Sequence, residues 1–234
     1  MTGTVHLIPT LLHETGIQSI PAYILPAVRQ CKVIFAENER TARRFLKQLD
    51  RSIEIDAFEW HTIHEAEDEV LQPFLRALKA GKPVAILSEA GCPGVADPGQ
   101  KLILAAQQAG AVVRPYTGPN AILLALMASG MNGQHFEFVG YLPIDTTARE
   151  KKIKELENAS ALNQSTKICI ETPYRNKQLL DAFLKVCTPQ TLLCIAMNIT
   201  GEDEFIQTKT VSEWKKSLPD VHKKPVVFLL LKNR

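Results

Sequence analysis

Residues 83–99 read PVAILSEAGCPGVADPG, an apolar run followed by a loop rich in glycine and proline. The run at 83–87 is typical of a strand that is buried on both faces of a sheet. The glycines of the loop let the backbone approach a ligand closely, and its prolines stiffen the path. Since ordered loops of this length are usually functional, we expect residues 88–99 to bind a ligand, with an elaborate turn as the alternative.

On both sides of this segment, short apolar runs alternate with stretches of helical periodicity. Strands are predicted at residues 4–8, 32–35, 53–58, 83–87 and 112–115, and helices at 20–30, 40–49, 66–79, 101–108 and 120–129. This alternation predicts a mostly parallel sheet with helices on both faces. The rhythm breaks around residues 130–135, GMNGQH, which predicts an N-terminal domain over residues 1–132 and a C-terminal domain over 133–234.

The second half alternates less regularly. Strands are predicted at residues 137–141, 167–171, 192–197, 205–208 and 226–231, and helices at 147–158, 176–186 and 211–218. This order favours a mixed sheet in the C-terminal domain. The fold class is therefore α/β in two domains, the first with a mostly parallel sheet.

Composition narrows the class of protein. The 27 basic and 25 acidic side chains leave a charge of +2, which does not demand a nucleic-acid partner and leaves room for a local basic patch. The sequence has no apolar run long enough to span a bilayer and no secretory pattern at its start, so we expect a cytoplasmic protein. Five scattered cysteines predict neither disulfides nor structural zinc. His61 and His64 could share a helix face, but without further ligands we predict no metal site.

Two more loops follow predicted strands of the first domain. Residues 36–40, AENER, place charges after one strand, and residues 117–120, TGPN, begin a helix that Asn120 can cap. The alternatives are a solvated helix start and a capped turn. Ligands of open α/β sheets bind at the carboxyl ends of the strands. The loops therefore predict a nucleotide-like ligand held by backbone groups, without a metal or a covalent nucleophile.

These loops, in this order, resemble motifs of the tetrapyrrole methylase superfamily, in its branch of bacterial methyltransferases of the ribose 2′-oxygen of a 16S ribosomal RNA cytidine. SEAGCPGVADPG is similar to S-D-A-G-T-P-x-x-x-D-P-G, AENER to A-E-D-T-R, and TGPNA to P-G-P-S-A. In the second half, FVGYLP at 138–143 is similar to F-x-G-F-L-P, and IETPYR at 170–175 to Y-E-S-P-H-R.

The resemblance implies a two-domain fold that binds S-adenosyl-L-methionine in a cleft between the domains, usually as a homodimer. The positions that it implies for cofactor binding are Pro9, Ser88, Ala90, Gly91, Pro93, Gly118, Pro119 and Ala121. It also implies that Glu37, Arg40, Glu171 and Arg175 line the substrate side or the domain junction, and Asp97 matches the retained acid of D-P-G. Our catalytic candidates are Glu37, Glu89 or Asp97 as base and Arg40 or Arg175 as orienting cation, with structural ion pairs as the alternative.

Some positions depart from the family pattern. Glu89 replaces an aspartate, Cys92 replaces a threonine, and AMNITG at 196–201 replaces A-R-E-L-T-K. Two basic clusters could contact RNA or be solvated helix faces: Arg40, Arg43 and Arg44, and Lys151, Lys152 and Lys154. We expect an S-adenosylmethionine-dependent methyltransferase of small-subunit ribosomal RNA at a ribose 2′-oxygen. The alternatives are a methyltransferase of a tetrapyrrole or another non-RNA acceptor, and a non-catalytic paralogue that acts as an interaction module.

Overall fold

The computed structural model describes residues 2–63 and 67–233. The chain divides into two compact units, Met1–Asn120 and Ala121–Arg234. The predicted domain boundary, between residues 132 and 133, lies one helix further along the chain and stays a prediction. The helix between the two positions, Ala121–Ser129, packs on two strands of the second unit, at residues 205–210 and 226–231.

The first unit is built on a five-stranded sheet in the order β3-β2-β4-β1-β5, and all neighbouring strands are parallel. Its strands are β1 Thr4–Ile8, β2 Val33–Ala36, β3 Glu59–Thr62, β4 Val84–Leu87 and β5 Val112–Pro115. Its α-helices in the described residues are α1 Ile24–Gln30, α2 Glu39–Leu49, α3 Asp68–Lys79 and α4 Gln100–Gln108. The predicted parallel sheet is confirmed.

Helices cover both faces of this sheet because successive strand residues point to opposite sides. Ile34 and Leu87 belong to the buried cluster that includes side chains of α1 and α2. Phe35 and Ile86, their neighbours in the chain, belong to a second cluster with side chains of α3 and α4. Strands buried on both faces explain the uninterrupted apolar runs of the sequence.

The strand predicted at residues 53–58 is wrong. Residues Ile55–Ala57 form a 3-10 turn, and β3 begins only at Glu59. The apolar side chains of this segment pack from the turn against the cluster under α1 and α2, and the indole N–H of Trp60 donates to the Ile55 carbonyl at 2.9 Å. His61 therefore lies in a strand and not on a helix, while its proposed partner His64 lies outside the described residues.

The second unit contains a five-stranded sheet in the order β6-β7-β10-β8-β9. Its strands are β6 Phe136–Tyr141, β7 Thr166–Ile170, β8 Leu192–Met197, β9 Phe205–Thr210 and β10 Val226–Leu231, and its α-helices in the described residues are α5 Ala121–Ser129, α6 Thr146–Asn163, α7 Asn176–Val186 and α8 Val211–Trp214. Only β6 and β7 are parallel among these paired strands, so the predicted mixed sheet is confirmed.

Two helices of this unit differ in length from the prediction. Helix α6 continues to Asn163, beyond the predicted end at 158, and is followed by Gln164 at φ 52°. Helix α8 ends early, at Trp214, whose indole N–H donates to the Leu193 carbonyl at 2.8 Å. This bond anchors the short helix on the sheet before the chain turns away.

A buried carboxylate ties α6 to the loop before β8. Glu157 accepts hydrogen bonds from the Thr188 N–H and the Thr191 hydroxyl, both at 2.6 Å, and from the Lys154 ammonium at 2.8 Å. Burial raises the pKa of Glu157, but the bonds from Lys154, Thr191 and Thr188 outweigh it and lower the pKa to about 2. This carboxylate is therefore a structural element of the second unit.

Candidate functional site

The loops singled out in the sequence leave one edge of the first sheet. Ile8 of β1 and Ala36 of β2 both lie beside Leu87 of β4, and Leu7 lies beside Pro115 of β5. Because the strands are parallel, the chain segments that follow them begin side by side. In open α/β sheets this carboxyl edge is where ligands bind.

The loop after β4 is hydrogen-bonded to the segment after β1. The Thr10 N–H donates to the Gly91 carbonyl at 2.8 Å, and the Thr10 hydroxyl donates to the Ser88 carbonyl at 3.2 Å. The Ser88 hydroxyl donates to the Gly91 carbonyl at 3.2 Å. Gly91 has φ 78°, and a Cβ there would come within 3.1 Å of Leu12. The position therefore favours glycine for both backbone and space.

The loop after β5 packs against the same segments. A Cβ on Gly118 would overlap the ring of Pro9, so the two backbones meet closely only because residue 118 is glycine. The Cys92 thiol donates to the Pro119 carbonyl at 3.5 Å. Pro9, Pro93 and Pro119 are buried, whereas Ala90 is exposed. The structure thus brings together the cofactor-binding residues predicted in the first unit, while Ala121 begins α5 in the second.

A glutamate that the sequence analysis missed holds the far end of the loop. Buried Glu67 accepts from the Gly99 N–H and the Lys101 N–H, both at 2.9 Å, and from the Leu102 N–H at 3.3 Å. Its carboxylate therefore caps the N-terminus of α4, where free N–H groups and the helix dipole favour negative charge. In the sequence, Glu67 looks like any acid at the start of a helix.

Three predicted catalytic acids form a cluster at this edge. The Glu89 N–H donates to the Glu37 carboxylate at 2.8 Å, and the Asn38 amide donates to the Glu89 carboxylate at 3.2 Å. Within the part of the chain that the structure describes, no ion pair joins Glu37, Glu89 or Asp97 to a cation. The cluster thus concentrates negative charge beside the backbone-lined loops.

This concentration of charge changes proton affinities. Burial, and then the charges of Glu37 and Glu89, raise the pKa of Asp97 to about 7. Burial also raises the pKa of Glu37, against the lowering effect of the bond from the Glu89 N–H, and the Glu89 charge adds to the rise. Asp97 can therefore take up and release a proton near neutral pH.

The two predicted orienting cations have different surroundings. Arg40 is exposed on α2, and its guanidinium forms no ion pair with any described residue. Arg175, in the second unit, donates from Nε and Nη2 to Oε1 of buried Glu171 at 2.9 and 2.6 Å. Oε2 of Glu171 has no hydrogen-bond partner among the described residues. Arg175 is thus part of an ion pair, and its orienting role stays a prediction.

An aromatic group also missed by the sequence analysis supports the loop after β5. His6 of β1 shares a hydrogen bond with the Tyr116 hydroxyl at 2.9 Å, and the rings of Tyr116 and Tyr23 stack at 5.8 Å. The Tyr23 hydroxyl accepts from the Thr117 N–H at 2.8 Å. Burial and the charge of Arg114 lower the pKa of His6. These contacts join residues far apart in the chain, which leaves no local sequence pattern.

Across residues 2–63 and 67–233, no group of three or more His, Cys, Asp or Glu side chains is placed to hold a metal ion. In the same residues, no helix combines the length and the apolar character needed to cross a membrane.

Known proteins resemble the chain in sequence. Residues 21–215 match the family model of tetrapyrrole (corrin/porphyrin) methylases. Ribosomal RNA small subunit methyltransferase I of Micromonospora olivasterospora is 32% identical over 203 residues, which cover 87% of this chain and 61% of that protein. The protein of the same name from Vibrio cholerae is 30% identical over 208 residues, covering 89% of this chain and 69% of its own length.

Solved structures resemble the chain in fold. The methyltransferase CobJ has a TM-score of 0.65 at 17% identity, over 99% of this chain and 95% of its own. The Thermus thermophilus uroporphyrin-III C-methyltransferase complexed with S-adenosylhomocysteine has a TM-score of 0.58 at 15% identity, over 98% of both chains. The predicted fold class and the resemblance seen in the five motifs are confirmed. The chain belongs to the tetrapyrrole (corrin/porphyrin) methylase family.

Proposed function

We propose that the chain is an S-adenosyl-L-methionine-dependent methyltransferase of small-subunit ribosomal RNA, acting at a ribose 2′-oxygen. Family membership and the names of the relatives support this activity. The chain spans 61% of the Micromonospora relative and 60% of the Halalkalibacterium halodurans protein of the same name. The proposal includes a homodimer and a cytoplasmic location, as the resemblance and the RNA substrate imply.

The observation that carries the proposal is that closely packed backbone loops lie beside the carboxylates of Glu37, Glu89 and Asp97, which form no ion pair with a described cation. A ligand with a sulfonium and an ammonium group complements such a cluster electrostatically. The residues that would hold it are those that the resemblance implies: Pro9, Ser88, Ala90, Gly91, Pro93, Gly118, Pro119 and Ala121. When bound, S-adenosylmethionine supplies an activated methyl group.

The residues of the chain would supply alignment and a proton acceptor. The hydrogen bonds between the loops limit movement at the edge of the sheet, which favours the in-line geometry that methyl transfer requires. A ribose hydroxyl is a weak acid, so its reaction is assisted by a general base whose pKa lies near the working pH. Asp97, with its pKa raised to about 7 by burial and by Glu37 and Glu89, meets this requirement. Glu37 and Glu89 then act by raising the basicity of Asp97.

The proposal is tested by methyl transfer from radiolabelled S-adenosylmethionine to small ribosomal subunits that lack the modification. A 2′-O-methyl group protects the adjacent phosphodiester from alkaline cleavage, so label in alkali-resistant dinucleotides identifies the ribose oxygen as acceptor. Calorimetric titration with S-adenosylhomocysteine measures cofactor binding separately.

The two readouts separate the alternatives. Binding of S-adenosylhomocysteine without label in RNA would exclude the RNA acceptor and favour a tetrapyrrole or another small molecule. Failure of the folded protein to bind S-adenosylhomocysteine would exclude the methyltransferase itself and leave the interaction module.

A further inference from the structure

A pocket of about 190 Å3 lies in the first unit beside residues 88–99, the loop after β4 that we call the cofactor loop. Three segments line it: residues 10–14 after β1, one face of α2, and residues 88–90. Residues 88–90 belong to the cofactor loop and also line the pocket, so they form a wall that the two share. The bonds from Thr10 to the Ser88 and Gly91 carbonyls hold this wall in place.

The lining of the pocket suits a flat ring with a polar edge. Leu11, Leu12, Ala42 and Phe45 give it an apolar part, and Ala42 and Phe45 are only 2% and 4% exposed. Gln48 adds an exposed amide that can both donate and accept. Proteins bind unstacked RNA bases in this way, with apolar contact to the ring faces and hydrogen bonds to the edge.

Acidic side chains of the pocket further restrict which base can bind. Glu14 and Glu89 both line it. Carboxylates accept hydrogen bonds from the exocyclic amino group of a base but have no proton to donate to a carbonyl oxygen. The carboxylates therefore favour the amino-bearing edge of cytosine, adenine or guanine over the edge of uracil, whose N3–H lies between two carbonyl oxygens that repel a carboxylate.

A pair of arginines on α2 supplies positive charge at the same place. Arg44 lines the pocket and Arg40 precedes it by one helical turn, so both are on one stripe of the helix. Neither guanidinium has an ion pair or hydrogen bond to another described residue, whereas Arg43 is bound by Glu39 at 2.6 Å and Asp56 at 3.2 Å. Unpaired guanidinium groups beside a base-sized pocket match the phosphate of a nucleotide.

We infer that this pocket binds the base of the nucleotide that is methylated, with the adjoining phosphate on Arg44 and Arg40. The inference rests on the proposed function and names the substrate-binding part of the same site. With the base in the pocket, the shared wall at residues 88–90 places the ribose beside the cofactor loop.

The test is direct titration of the full chain with nucleoside 5′-monophosphates by ligand-observed NMR, with and without S-adenosylhomocysteine. We expect cytidine, adenosine or guanosine monophosphate to bind at least tenfold more tightly than uridine monophosphate or ribose 5-phosphate. Equal binding of ribose 5-phosphate, or no binding of any nucleotide at millimolar concentration, would overturn the inference. Because the titration needs no methyl transfer, its result is independent of the activity assay.

Two variants localise the binding. Gln48→Trp fills the pocket from an exposed position and should weaken nucleotide binding at least tenfold, with S-adenosylhomocysteine binding changed less than twofold. Gln107→Trp, an exposed glutamine of α4, is the matched control and should bind like wild type. Equal nucleotide affinities in these two variants would place the base elsewhere.

The arginine is tested in the same way. Arg44→Ala should weaken binding of the monophosphate about tenfold while leaving that of the free nucleoside unchanged. Arg51→Ala removes an exposed charge just beyond α2 and should change neither. An equal loss for nucleoside and nucleotide in Arg44→Ala would contradict the assignment of the phosphate.

Discussion

Asp97 occupies an environment that opposes its own charge. It is partly buried and faces the negative charges of Glu37 and Glu89, which together with burial raise its pKa from 3.8 to about 7. The folded protein therefore keeps this proton up to a higher pH than the unfolded chain does. Folding stability must fall as the pH rises from about 4 to about 7, and the loss persists above that range.

Asp97→Asn is expected to remove this loss. At pH 8 the variant should be more stable than wild type by about 1–2 kcal/mol, a value reduced from the full linkage because solvent screens the group. The difference should vanish at a pH about one unit or more below 3.8, where the wild-type carboxyl is protonated in both states. Urea unfolding at the two pH values measures it, and an equal difference at both would contradict the raised pKa.

The same residue predicts the pH dependence of catalysis. If Asp97 is the base, kcat should rise with pH to a plateau above about 7, as the carboxylate forms. Asp97→Asn should lower kcat by roughly 100-fold or more, the usual contribution of a general base. Steady-state methyl transfer at saturating substrates measures both, and near-normal kcat in the variant would exclude Asp97 as base.

At the scale of elements, the N-terminus of α4 depends on a side chain from outside the helix. Glu67→Ala should lower the free energy of unfolding by about 1–3 kcal/mol, because three backbone N–H groups lose their acceptor. Glu69→Ala, an exposed acid in the first turn of α3, is the control and should have little effect. Equal effects in urea unfolding would mean that the cap contributes nothing specific.

Helix α6 gives a prediction for acid stability. The pKa of Glu157 is lowered from 4.5 to about 2, so its contribution is complete above pH 5 and disappears as the pH falls towards 2. Glu157→Gln should cost about 2–3 kcal/mol at pH 7 and progressively less below pH 4.5. Exposed Glu155→Gln is the matched control. A cost that does not change with pH would show that Glu157 acts by shape alone.

Elements were predictable where one physical signal dominates. Strands β1, β5, β8 and β10 were predicted with the observed bounds, because apolar runs between breakers have few other interpretations. Residues 53–58 were wrongly predicted to be a strand, because apolar side chains can also pack against the core from a turn. The candidate loops could be found in sequence, since their glycines and prolines are local. The supporting contacts of Glu67 and His6 could not, because they depend on which distant segments the fold brings together.

At the scale of the whole chain, ligand binding and folding are linked. A ligand that binds only the native state stabilises it, by about 3 kcal/mol at a concentration one hundred times its Kd. We therefore expect S-adenosylhomocysteine to raise the Tm of wild type. Gly118→Ala should abolish the rise, because its Cβ would displace Pro9. Gly133→Ala is the control, since a Cβ there meets nothing within 4 Å. If S-adenosylhomocysteine still raised the Tm of Gly118→Ala, these loops would not form the cofactor site.

The carboxylates of Glu37, Glu89 and Asp97, which form no ion pair with a described residue, also bear on the proposed turnover. A transferred methyl group leaves a neutral thioether where a sulfonium had been, so one of the charges that the cluster attracts disappears during the reaction. Electrostatic attraction to the spent cofactor is then weaker than to the fresh one. Under the proposed function, the cluster that attracts the methyl donor would therefore also favour release of the product, and product inhibition should grow when these acids are neutralised.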